Sequence, residues 1–121
     1  MEQPVTLILG ASPNPERYSF LATSLLHEKG YPIYPFGIKN GLIQDIPILT
    51  EWPKKGIIDT ITLYIGPTGQ KAYYESILAL APRRIIFNPG TENPELEQLA
   101  VQNGIQTQEA CTLVLLKTGQ Y

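Results

Sequence analysis

Gly10, Ser12 and Arg17 stand together in the stretch Gly10-Ala11-Ser12-Pro13-Asn14-Pro15-Glu16-Arg17-Tyr18. Glycine lets a backbone come close to a ligand. Serine adds a hydroxyl, and arginine offers a planar fork of donors that matches a phosphate. Where such a loop leads from a strand into a helix, backbone N–H groups and the positive end of the helix dipole point at the same place. The chemistry these residues suit is the holding of a phosphorylated ligand. The dinucleotide pattern G-x-G-x-x-G is absent, because a single glycine is followed by serine and prolines. A pyrophosphate here would not adopt the usual close-approach pose.

A second position bears on which phosphate. NAD-binding domains place an acid at the end of the second strand, where it accepts from the ribose hydroxyls. Phe36-Gly37-Ile38-Lys39-Asn40 offers no acid and one lysine. A cation there suits a phosphate on the ribose, which NADP and coenzyme A both carry. Other chemistry finds less support. The one histidine, His27, falls near the C-terminal end of a helix, away from these loops, and reads as structural or solvated. Without a suitably placed base no nucleophilic triad can be assembled. No His/Cys/Asp/Glu cluster has metal-ligand spacing. Glu92, Glu95 and Glu97 read as helix-start charges, and Trp52, Tyr73 and Tyr74 as packing residues.

The elements that must position the loops follow from periodicity. Val5–Leu9 is a short apolar run suited to a strand buried on both faces. Tyr18, Leu21, Ala22, Leu25 and Leu26 form one helical stripe, which Gly30 ends. Tyr31–Phe36 reads as a second strand, kept short or at an edge by Pro32 and Pro35. Residues 37–58 lack a clear period, with Ile46–Leu49 as a short extended piece. Asp59–Ile65 is a third strand, running into Gly66-Pro67-Thr68-Gly69. A stripe of Tyr73, Tyr74, Ile77, Leu78 and Ala81 stops at Pro82, and Arg84–Phe87 is a fourth strand. Asn93 can cap the next helix, Pro94 suits its first position, and Asn103-Gly104 ends it. Ile105–Thr107 and Leu113–Leu116 read as late strands or one interrupted strand. The alternation predicts a three-layer, doubly wound α/β fold of the Rossmann type. Its mostly parallel sheet has about five strands, and ligands bind at the strands' carboxyl ends.

The totals agree with one domain spanning residues 1–121. Of the 121 residues 43% are hydrophobic, enough to build a core. The net charge of −2 leaves no basic stripe for a nucleic acid. One cysteine, Cys111, excludes an internal disulfide. No apolar run nears the roughly 20 residues that span a bilayer, and no leader pattern opens the chain, so a cytoplasmic location is expected.

Gly10-Ala11-Ser12-Pro13-Asn14-Pro15-Glu16-Arg17-Tyr18-Ser19 resembles the opening loop of the small bacterial CoA-binding proteins. These are single-domain relatives of the CoA-binding domain of succinyl-CoA synthetase α subunits and ADP-forming acyl-CoA synthetases. Gly30-Tyr31-Pro32-Ile33-Tyr34-Pro35 and Phe87-Asn88-Pro89-Gly90-Thr91-Glu92-Asn93 continue the likeness, and Cys111 sits where many members have a cysteine. The resemblance implies a Rossmann-like domain that holds coenzyme A across its first and second loops. By position, Gly10, Ala11, Ser12, Arg17 and Ser19 match the phosphate-binding segment, and Lys39 the basic residue after the second strand. Gly66, Pro67 and Thr68 match the loop near the adenine or the pantetheine arm. Two places depart from the family pattern: Tyr34-Pro35-Phe36-Gly37 replaces its Val-Asn-Pro, and the loop after the third strand lacks its Arg-Pro pair.

The expectation is a module that binds coenzyme A or an acyl-CoA without chemistry of its own, working alone, as a homodimer or with a partner subunit. The synthetases' phosphorylated histidine has no counterpart. Cys111 reads as a small buried apolar residue, with a mixed disulfide to the ligand thiol as the other reading. The alternatives are an NADP-type redox enzyme or sensor, and a structural domain without a ligand.

Overall fold

The computed structural model describes residues 4–121. Parallel strands that are buried on both faces need apolar side chains pointing both ways, and the chain supplies them in order. β1 (Val5–Leu9), β2 (Ile33–Phe36), β5 (Ile58–Leu63), β6 (Arg84–Phe87) and β7 (Gln106–Glu109) form one sheet in the order β2-β1-β5-β6-β7, every neighbouring pair parallel. β3 (Leu42–Ile43) and β4 (Ile46–Pro47) form a separate antiparallel hairpin inside the aperiodic stretch. The chain leaves β1 toward one edge for β2 and then crosses back to β5. The strand order therefore switches between β1 and β5, where an open α/β sheet forms its crevice.

Helices cover both faces. Leu7, Leu9, Ile61, Leu63, Ile85 and Phe87 point to the face packed by α3 (Tyr74–Leu80) and α4 (Pro94–Gln102). Ile8 points to the other face, toward Leu26 of α1 (Tyr18–Glu28) and Leu116 of α5 (Thr112–Lys117). This is the three-layer doubly wound α/β architecture expected. Pro35 fits because β2 is an edge strand. Beyond that edge the segment around Leu49 docks, its N–H donating to Pro35 O and its carbonyl accepting from Gly37 N.

Two expectations need correction. Leu113–Leu116 is not a strand but the body of α5. Its buried positions Thr112, Leu115 and Leu116 have helical spacing, a period that four consecutive apolar residues conceal. The stripe of α1 is also displaced. Ser19, Ala22, Thr23 and Leu26 face inward, while Tyr18 is 71% and Leu21 42% exposed. Small side chains let the helix lie close to its neighbours, and the Thr23 hydroxyl is satisfied by Ser19 O at 2.7 Å.

One ion pair ties β5 to the chain entering β6. Arg83 Nε and Nη2 donate to the two oxygens of Asp59, each at 3.0 Å. The Arg83 guanidinium holds the Asp59 carboxyl below the usual carboxylate range. A depressed folded-state value means that the stabilisation is complete above the unfolded value of about 3.9 and is lost as pH falls through the folded value. The arginine is exposed, so the pair contributes under about 1 kcal/mol. Urea titrations of Asp59→Asn are expected to show that small deficit at pH 7 and none at a pH below both values.

Candidate functional site

A cleft of about 670 Å³ opens over the carboxyl ends of β1, β2, β5 and β6. The loop after β1 forms its centre because Gly10 takes φ +105°, a conformation that glycine tolerates. A Cβ on Gly10 would lie 2.8 Å from Ile65 Cγ2. The loop after β2 is pressed equally tightly against it. A Cβ on Gly37 would lie 2.5 Å from Ala11 O, and the amides of Gly10 and Ala11 both donate to Phe36 O. The two loops thus form one unit, and those two amides shape it rather than face a ligand.

Of the residues expected at the site, Gly10, Ala11, Ser12, Arg17, Ser19, Lys39 and Gly66 line this cleft. Pro67 and Thr68 do not. They begin the short helix α2 (Pro67–Gln70) beside it, exposed. Pro13, Tyr18, Phe36, Gly37, Ile38, Tyr64, Ile65, Gly69, Tyr73, Pro89, Gly90 and Thr91 line it as well. Several were legible as members of the right loops, since all follow strands at the same end of the sheet. Tyr73 was not. It reaches the cleft because its ring stacks on Trp52 at 5.5 Å and meets Phe36 edge-on at 5.9 Å.

The charge of the lining is one-sided. Its only ionisable groups with formal charge at neutral pH are Arg17 and Lys39, and both side chains are exposed. Arg17 occupies the N-cap of α1 with its side chain making no cap bond, and the helix has no acid in its first turn. Among the described residues Arg17 forms no ion pair. The first turn of α1 therefore opens at the cleft with two cations and no acid in the lining, the neighbouring Glu16 being exposed outside it, an arrangement that suits phosphate. Ser12 Oγ accepts from Asn14 N at 3.1 Å, which leaves its own proton free to donate.

The opposite end is built differently. Gln70, fully buried, donates through Nε2 to Ile65 O and Thr91 O at 2.9 and 2.8 Å and accepts through Oε1 from Asn93 Nδ2 at 2.8 Å. Asn93 also caps α4, its Oδ1 accepting from Glu95 N and Leu96 N. One amide clamp thus joins the loops after β5 and β6. Asn93→Ala removes the cap and strands the Gln70 acceptor. Its expected cost is about 2 kcal/mol, read as a lower urea midpoint at unchanged slope. Asn93→Asp keeps the cap acceptor and is expected to recover about half of that.

Tyr64 lines the cleft with its hydroxyl buried beside Thr112 and Thr62, without a hydrogen bond of good geometry among the described residues. Burial pushes this phenol up to about 12, so it stays protonated at neutral pH. Cys111 is not the buried residue expected. It is half-buried at the N-cap of α5 and outside the cleft lining. His27 is exposed in the last turn of α1. Among the described residues no helix is long and apolar enough to cross a membrane.

A doubly wound α/β sheet with a crevice at its switch point, basic at one end, defines the class: an α/β domain of the Rossmann type. The chain belongs to the CoA binding domain family, whose model matches residues 5–117. A crystal structure of an uncharacterized protein is 45% identical, with 100% of both chains covered and a TM-score of 0.93. A Thermus thermophilus protein is similar in fold at 20% identity, covering 98% of this chain and 91% of its own, with a TM-score of 0.84. A hypothetical protein from Pyrococcus horikoshii OT3 is similar at 23% identity over 96% of this chain and 82% of its own, with a TM-score of 0.83. No curated protein matches the sequence.

Proposed function

We propose that the chain, as one domain over residues 1–121, binds coenzyme A or an acyl-CoA as a non-catalytic module. The ligand's phosphates would be held by the loop after β1 and the end of β2. The observation that carries the reading is the pairing of Arg17 and Lys39 at the open N-terminus of α1, in a lining without an acidic side chain. Arg17 would supply a bidentate contact and Lys39 a point charge suited to the ribose phosphate. Ser12 would donate its hydroxyl. Gly10, Ala11 and Gly66 would shape the walls, with Pro67 and Thr68 beside them at the start of α2, and Ser19, buried in the first turn, would let the helix end approach the ligand. The non-catalytic role is supported by the groups at the far end. The Tyr64 phenol keeps its proton, and the Thr91 hydroxyl already donates to Asn88 O at 2.8 Å.

Thermal-shift titrations with CoA, acetyl-CoA, NADP and NAD test this. A ligand that binds only the folded chain stabilises it by about 2.7 kcal/mol at a hundredfold excess over Kd. A melting temperature that rises with CoA and acetyl-CoA but not with NAD is the expected result. A rise with NADP alone would replace the reading by a redox one, and no rise with any of the four would end it.

A further inference from the structure

The cleft is polarised along its length. Its cations, Arg17 and Lys39, stand in the loops after β1 and β2, and its far end lies across the sheet over β5 and β6. Tyr64 and Ile65 lead to that end with aromatic and aliphatic surface, Pro89 lines it and no cation does, whereas Tyr73 packs on Phe36 at the end of β2. Lys71, on the turn beside it, is exposed and outside the lining.

At the far rim the Gly90 amide stands at a tight turn where Gly90 has φ +92°. An exposed backbone N–H there would ordinarily serve an incoming carboxylate. Glu92 takes it instead, its Oε1 accepting from Gly90 N at 2.9 Å. The same contact holds a fixed negative charge on the rim.

We infer that the far end selects uncharged acyl thioesters and that Glu92 excludes carboxylated ones. The inference rests on the coenzyme A reading above. A thioester whose phosphates sit at Arg17 and Lys39 extends its acyl group toward the far end. An alkyl acyl group meets Ile65 and Pro89 there. A terminal carboxylate would lose water without gaining a cation, would find the Gly90 donor already used, and would face the Glu92 carboxylate. Glu92 acts on binding through charge and through occupancy of the amide, not by touching a reacting atom.

Calorimetric titration of CoA, propionyl-CoA and succinyl-CoA into the wild-type chain and Glu92→Gln provides the test. Glutamine keeps an oxygen acceptor for Gly90, so the turn is retained and only the charge is lost. Wild type is expected to bind succinyl-CoA at least about tenfold more weakly than propionyl-CoA. Glu92→Gln is expected to narrow that gap about threefold, with the CoA and propionyl-CoA affinities unchanged, and the narrowing should shrink at high salt. Equal wild-type affinity for the two thioesters, or a gap that Glu92→Gln leaves unchanged, would overturn the inference while leaving coenzyme A binding intact. Failure of CoA itself to bind would overturn both.

Discussion

Arg17→Ala is expected to weaken coenzyme A binding roughly tenfold to a hundredfold while the fold stays as stable as before. A hydrogen bond to a charged group contributes about 1.5–3 kcal/mol, which converts to that range of affinity. The folded chain has little use for the side chain. It makes no cap bond, forms no ion pair among the described residues, and is exposed. The substitution therefore separates ligand from structure. Isothermal titration should show the loss in Kd, and the ligand-free melting temperature should move by no more than about 2 °C. Arg17→Lys should restore part of the affinity, because lysine keeps the charge and loses the fork. The salt dependence of binding should also weaken in Arg17→Ala, since one phosphate contact fewer is screened. Unchanged affinity in Arg17→Ala would mean that the phosphates do not lie at the end of α1.

Asn88→Ala is expected to give the largest loss of stability, about 3 kcal/mol, with a melting temperature lower by about 10 °C or more. Asn88 is buried and both of its side-chain polar atoms are engaged. Nδ2 donates to Thr62 Oγ1 at 2.7 Å and to Leu63 O at 2.9 Å, and Oδ1 accepts from Thr112 N at 2.8 Å. Thr62 and Thr112 are themselves bonded through their hydroxyls at 2.8 Å. Truncation leaves an amide at the start of α5 and a carbonyl at the end of β5 without partners, in a place water cannot easily reach. Each such buried orphan costs about 1–3 kcal/mol. The effect on the site is indirect: the substitution keeps the Asn88 backbone carbonyl, which accepts from both Thr91 N and Thr91 Oγ1, but removes the side-chain bonds that hold that backbone in place. Coenzyme A should still bind to Asn88→Ala, more weakly, and should raise its melting temperature toward that of the unliganded wild type. A stability within about 1 kcal/mol of wild type would show that the network relaxes around the loss.

The alternation of short apolar runs with helical stripes was enough to predict the layered α/β fold, because β1, β5 and β6 are buried on both faces and local periodicity records burial directly. The start of α4 was legible for the same local reason. Asn93, Pro94 and Glu95 act within one turn, and the cap forms as their order implies. The meeting of Gly10, Ser12, Arg17 and Lys39 at one cleft was legible too, since they follow strands and so must come together at one end of a parallel sheet.

What failed to read locally depends on partners distant in sequence. Leu113–Leu116 has an apolar content that either period could use, and packing against α1 selects the helix. Tyr18 and Leu21 look like core residues until the close approach of α1 reserves its inner face for Ser19, Ala22 and Thr23. Gly37 looks like loop punctuation, but the backbone of Ala11, from a different strand end, is what forbids a side chain there. Gln70 and Asn88 carry no sequence signal of their roles, since an amide side chain acquires a role only when the carbonyls and hydroxyls it bonds are brought beside it. Sequence alone therefore determined the alternation of elements as far as α4, the layered architecture and the loops that line the cleft, because periodicity and turn chemistry act over a few residues. The tertiary structure decided how the loops interlock, which amides are already used and which end of the cleft carries charge, because those depend on distances between segments far apart in the chain.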